Sequence, residues 1–287
     1  MKKRFAYHIV VMVVAMSCIN RPDMSDHDRK IVFGAIIGNN ATSHDKDVEA
    51  YPAEIPFKVC AFCDEGVVID GGVFTYTDDL WSAQPAYLWP SSSVDFYAFS
   101  PFSAPAEILR DKGVIFNDFS IAEHRDFLYA NPLKEYSKPE IDIPVNLVFE
   151  TPLCEVEFYA YSSSEDRVTT WITGLELHDV AHMADFVQLP TASWTSYDDF
   201  KNVEIYHGRH DLLNISQKVG ETVLIIPQHL KIIVRYSYTL SGGDAVIQRA
   251  EELDLTKIPS TSLGNKKIYT IKVTEDLVTV QIPNISK

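Results

Sequence analysis

The chain has 287 residues, 46% of them hydrophobic, so it can bury a large core, and its length fits one or two domains. Its net charge of −15 excludes a nucleic-acid surface, because phosphate binding needs clustered Lys and Arg that 25 basic side chains among 40 acidic ones do not supply. What remains is an acidic, solvated exterior.

The N-terminus reads as an export signal. Lys2, Lys3 and Arg4 form a basic start, and Phe5 to Met16 is an apolar run too short to span a bilayer. It ends Val14-Ala15-Met16-Ser17-Cys18, which resembles a bacterial lipobox, so Cys18 is expected to carry lipid and to become the mature N-terminus. The signal is placed at 1–17 and an acidic tether at 18–30. With Cys18 committed, three cysteines remain, an odd number that implies no disulfide framework.

Strand patterns then recur at short intervals. Ile31–Ile37 is a first strand and Gly38 to Glu49 a polar loop; Phe57–Cys63, Val67–Tyr76, Ala86–Trp89, Val94–Ser100 and Gly113–Phe119 follow, separated by Gly, Pro or Asp clusters. Val94–Ser100 is apolar at nearly every position and calls for cover on both faces, and Pro101 ends it by denying a ladder donor. Proline-rich residues 131–144 mark a boundary. Beyond them strands are expected at 145–149, 156–161, Ile172–His178, Thr222–Pro227, Lys231–Leu240, Lys267–Val273 and Val278–Ile282. No stretch holds a clean helical period, so the fold class is all-β, of sandwich type.

Reaction chemistry is not indicated. Cys60-Ala61-Phe62-Cys63 has redox spacing, but inside a strand residues three apart point to opposite faces, and both are expected to be core residues, as is Cys154. His178 and His182 have a spacing that would bind zinc on a helix, yet they follow a strand and are expected in a surface turn; His207 to Asp211 is expected to be a polar loop. Neither a phosphate loop nor a nucleophile elbow occurs. No cofactor and no metal are expected, and the chain is not read as an enzyme.

Several segments resemble the Bacteroidales fimbrillin family, the FimA/Mfa-like pilins. Tyr51, Pro52, Phe57, Val59, Ala61 and Phe62 match one family strand, and Trp89, Pro90, Phe96, Tyr97, Ser100 and Pro101 match a hairpin. Asp126 to Ala130 resembles the segment that closes the first domain, and 145–161 the opening of the second, with Glu150 and Pro152 departing from the usual turn. The resemblance implies two transthyretin-like (Ig-like Greek-key) β-sandwich domains in tandem, at 31–141 and 142–287. It implies a pilus subunit, as stalk, anchor or accessory, lipid-anchored in the outer membrane through Cys18 and assembled with other fimbrillin subunits by strand exchange. In that family a protease cuts after Arg or Lys in the loop following the first strand. Here the loop offers Lys46, between two aspartates. Cleavage there would free the first strand and open a slot beside Phe57–Ala61, which Val278, Val280 and Ile282 of a neighbour would fill. An uncut, lipid-retaining anchor is the companion reading. The alternative function is a monomeric surface lipoprotein that binds glycan or host protein through exposed Trp171, Trp194 and Tyr197.

Overall fold

A computed structural model describes residues 29–38, 48–141, 143–163, 169–240, 245–255, 264, 266–274 and 277–281. The signal segment, Cys18, Lys46 and Ile282 lie outside the described residues. Twenty strands and no helix occur among the described residues, so the all-β class holds.

The first sheet closes on itself. Strands β1 (Phe33–Gly38), β3 (Phe57–Cys63), β4 (Gly66–Thr77), β5 (Leu80–Ser82), β6 (Val94–Ser100), β9 (Leu128–Ala130) and β11 (Val145–Glu150) pair in the circular order β6-β3-β4-β5-β1-β11-β9, and β9 returns to β6. β2 (Val48–Ala50) and β10 (Leu133–Tyr136) attach to β1 and β6. Where the sequence suggests a first sandwich, the chain forms a small seven-stranded ring. Alternation sets its contents: Phe33, Phe57, Val59, Phe74, Phe96, Leu147 and Phe149 point inward and are fully buried. β11 comes after the 141/142 boundary in sequence, yet it pairs in parallel with β1, so the later half of the chain supplies one stave of this ring.

The rest forms two sheets. β12 (Cys154–Ser162) pairs with β15 (Gln217–Lys218), β16 (Val223–Ile225) and β19 (Lys266–Val273), and β19 with β20 (Val278–Gln281). Opposite them lie β18 (Val246–Asp254), β17 (Lys231–Thr239), β13 (Thr169–Val187), β8 (Gly113–Ser120) and β7 (Glu107–Leu109), with β14 (Ser193–Asp211) on the other side of β13. Val156, Phe158, Leu175, Ile232, Tyr236, Tyr269 and Ile271 fill the space between the sheets.

A third apolar cluster joins ring to sandwich. Phe99 and Tyr129 face outward from the ring and meet Phe116, Phe119, Phe186 and Trp194. Gln188, 3% exposed, ties the same junction: its Oε1 accepts from Val114 N at 3.0 Å and its Nε2 donates to Ala130 O at 2.7 Å.

Two expectations are corrected here. His178–His182 is not a turn, because β13 runs on through it to Val187, with a bulge beside Asp179 at φ 53°. His207–Asp211 is not a loop, because it ends the 19-residue β14. The β13–β14 hairpin extends for about 60 Å at roughly 3.3 Å per residue.

Candidate functional site

The residues of interest surround β1. Ile31 and Phe33 are buried to 1% and 0% exposure, and Ala35 and Ile37 pack against the same core. Fully burying such side chains contributes about 1.5–3 kcal/mol each for Ile and Phe. Phe33 meets three rings edge-on, with centroids 4.8 Å from Phe74, 5.5 Å from Phe96 and 6.2 Å from Phe57. Two of the three outward positions, Gly34 and Gly38, are glycines. A Cβ at Gly34 would lie 2.6 Å from Asn146 Oδ1 and one at Gly38 2.7 Å from Val148 Cγ1, so both glycines let β11 approach.

One strand holds β1 on one side and two strands share the other. Five successive residues, Phe33↔Val145 to Ile37↔Phe149, pair with β11, whereas β5 meets β1 at Phe33↔Trp81. β2 pairs with the far end, Ile36 to Gly38. Ahead of β1, Arg29 Nη1 donates to Pro139 O at 2.7 Å and Glu140 O at 2.8 Å, and Ile31 N donates to Tyr87 O at 2.8 Å. A cavity of about 310 Å³ lies there, lined by Arg29, Lys30, Val32, Trp89 and Ile141 among others. The sequence reading puts the slot beside Phe57–Ala61. The structure corrects this: β3 is flanked by β4 and β6, and a vacated β1 would leave its gap between β5 and β11, with Phe57 contributing only its ring to the floor.

Tyr51 packs over the same core beside β1. Its ring lies 4.8 Å from Phe149 and 5.3 Å from Trp81, and its hydroxyl shares a hydrogen bond with Ser100 Oγ. Burial pushes its phenol up to about 12, against a smaller lowering by Ser100, so it stays neutral.

Of the expected donor residues, Val278 and Val280 are seen. β20 is an edge strand bonded to β19 through Val273↔Val278 to Thr270↔Gln281; Val278 is 4% exposed and Val280 half-buried against the sandwich core.

The remaining candidates are structural. Cys60, Cys63 and Cys154 are buried free thiols; burial pushes Cys154 up to about 12 and raises Cys60, whose Sγ accepts from Gly71 N at 3.2 Å. No group of three His, Cys, Asp or Glu poised for a metal occurs among the described residues. The aromatics proposed as an exposed platform are not exposed. Trp171 and Trp194 are 7% and 4% exposed, and Tyr197 is half-buried with its hydroxyl donating to Pro227 O at 2.8 Å. Trp171 is further covered by the Arg209 guanidinium, 4.2 Å from its ring. The glycan-binding reading loses its carriers.

Ring and sandwich together define an all-β module whose most distinctive feature is a strand rather than a reacting group. The chain belongs to the fimbrillin-like family, whose model matches residues 44–287, and that family is non-enzymatic. No curated protein matches the sequence. Two solved structures share the fold, each described as a "putative cell adhesion protein". The one from Bacteroides uniformis is 15% identical, with a TM-score of 0.50 over 89% of this chain and 96% of its own. The one from Bacteroides ovatus is 13% identical, with a TM-score of 0.51 over the same shares.

Proposed function

We propose that this chain is a structural subunit of a cell-surface pilus, as stalk, anchor or accessory, exported as a lipoprotein on Cys18 and assembled by strand exchange. The observation that carries this reading is the seating of β1: a fully buried Phe33 on a strand held by β11 over five residues on one side, and on the other by β5 at one pair and β2 at three. Cutting after Lys46 would separate β1 from β2 and everything that follows. The ring would then open between β5 and β11, exposing unpaired backbone groups and an apolar floor that a strand from a neighbour can satisfy together.

The pattern of β20 and its continuation suits that gap. Phe33, Ala35 and Ile37 alternate inward on β1, and the sequence repeats that apolar spacing at Val278, Val280 and Ile282. To be donated, β20 must leave β19, so exchange sets four residue pairs against the longer ladder offered by β11. Two transthyretin-like, Greek-key units form part of the reading, with 31–141 and 142–287 as domains and β11 the strand that the second lends to the first. The two-sheet core between β12 and β17 supports this for the C-terminal half. The two structures of like fold described as cell adhesion proteins support a surface location and an adhesive partner.

Electron microscopy of surface-sheared material tests the proposal. Filaments should contain this chain, and Val280→Lys should abolish them while the monomer still folds. Absence of the chain from filaments, or full assembly by the Val280→Lys variant, would overturn it.

A further inference from the structure

Two edge strands of the sandwich are long enough to accept another strand, and they differ in kind. β14 is interrupted: its pairing with β13 shifts register four times, and Ser196, Asp199 and Gly208 have φ of 52°, 51° and 139°. Such kinks blunt an edge against further pairing. β18 is continuous. Its nine residues pair with Lys231–Thr239 of β17 without a shift, none has positive φ, and no strand among the described residues pairs with its outer edge.

The side chains of β18 restrict what could bind there. Ile247 and Leu253 are half-buried against the sandwich core. Arg249 and Glu251 share their face by alternation, are exposed, and form no ion pair among the described residues. Charges on the core-side face of an edge strand repel an arbitrary partner strand. These two have opposite signs and stand symmetrically about Ala250, so a strand carrying the same pattern in the reverse direction answers them.

We propose that β18 is a self-recognition edge: two copies of this chain pair β18 with β18, antiparallel, with Ala250 on the two-fold axis. In that register Arg249 of each copy faces Glu251 of the other, Ile247 faces Leu253, and Gln248 faces Glu252. An isologous contact of this kind counts every pair twice. Charge also fixes the register. Moving the axis one residue in either direction sets Arg249 against Arg249 or Glu251 against Glu251, and like charges directly opposite each other destabilise a sheet. The resulting sheet runs β13-β17-β18 through the axis into its copy. The contact pairs neither β1 nor β20, so it joins subunits sideways.

Sedimentation velocity on the full chain, across a range of concentrations, tests the proposal. Wild type should dimerise. Arg249→Glu sets two acids against each other and Glu251→Arg two bases, and each should weaken the dimer by about tenfold or more. The double swap restores the opposition and should recover wild-type association. Both side chains are exposed, so the melting temperature of the monomer should hold in all three variants, which separates loss of contact from loss of fold. Ala250→Cys should form a 250–250 disulfide on mild oxidation, mapped by mass spectrometry, because facing residues of an antiparallel pair lie about 4.5–5.5 Å apart at Cα. A chain that stays monomeric, a dimer indifferent to the single swaps, or a double swap no better than the singles would overturn the proposal.

Discussion

Phe33 on β1 stands edge-on to Phe74 on β4, with ring centroids 4.8 Å apart and planes at 82°, although β5 lies between the two strands in the ring. The contact therefore crosses the interior rather than running along the sheet. Phe33→Ala empties the middle of that interior and should cost the uncut chain about 3–5 kcal/mol, read as a lower urea midpoint. The same substitution should leave assembled material unaffected if β1 has departed from it. A large loss of stability in the assembled form would mean that β1 is still in place.

Glu157 on β12 makes stability depend on acid. Its side chain is 7% exposed, and burial alone would raise its carboxyl, but hydrogen bonds from Lys218, Lys266 and Thr222 outweigh that and pull it down to about 2 from 4.5. Its contribution is fully present above 4.5. As pH falls from 4.5 towards 2 the unfolded chain binds a proton that the folded chain refuses, so stability is lost through that window. Urea midpoints at pH 5 and pH 3 should fall further for wild type than for Glu157→Gln. Equal falls would show that other groups control the acid transition.

Gln188 links ring and sandwich through two hydrogen bonds made by one buried amide. Gln188→Leu should leave Val114 N–H and Ala130 C=O without their side-chain partner, at about 1–3 kcal/mol for each group left unsatisfied. Denaturation by urea reads the loss directly, and a change below ~0.5 kcal/mol, the range of an inert surface substitution, would contradict the role given to this residue.

Legibility in the sequence followed burial. β3 and β6 are read to the residue because apolar positions and breakers coincide, as at Ser100 and Pro101. β14 and β18 offer the sequence no alternation to detect, because most of their residues are exposed on both faces. Past His178 a polar, bulged run hides the continuation of β13 from the sequence pattern. The inward residues of β1 are legible as a strand, but its neighbours are not. Parallel pairing with β11 spans more than a hundred residues, and no local pattern announces it, so nothing in the sequence tells that β1 sits between β5 and β11 rather than beside β3.

The central claim is that β1 is a removable plug, and the N-terminus of polymerised material tests it most directly. N-terminal sequencing of chains recovered from filaments should read from Asp47, with β1 gone, and Lys46→Gln should abolish the polymer. Chains in filaments that still begin at Cys18, with β1 attached, would contradict it.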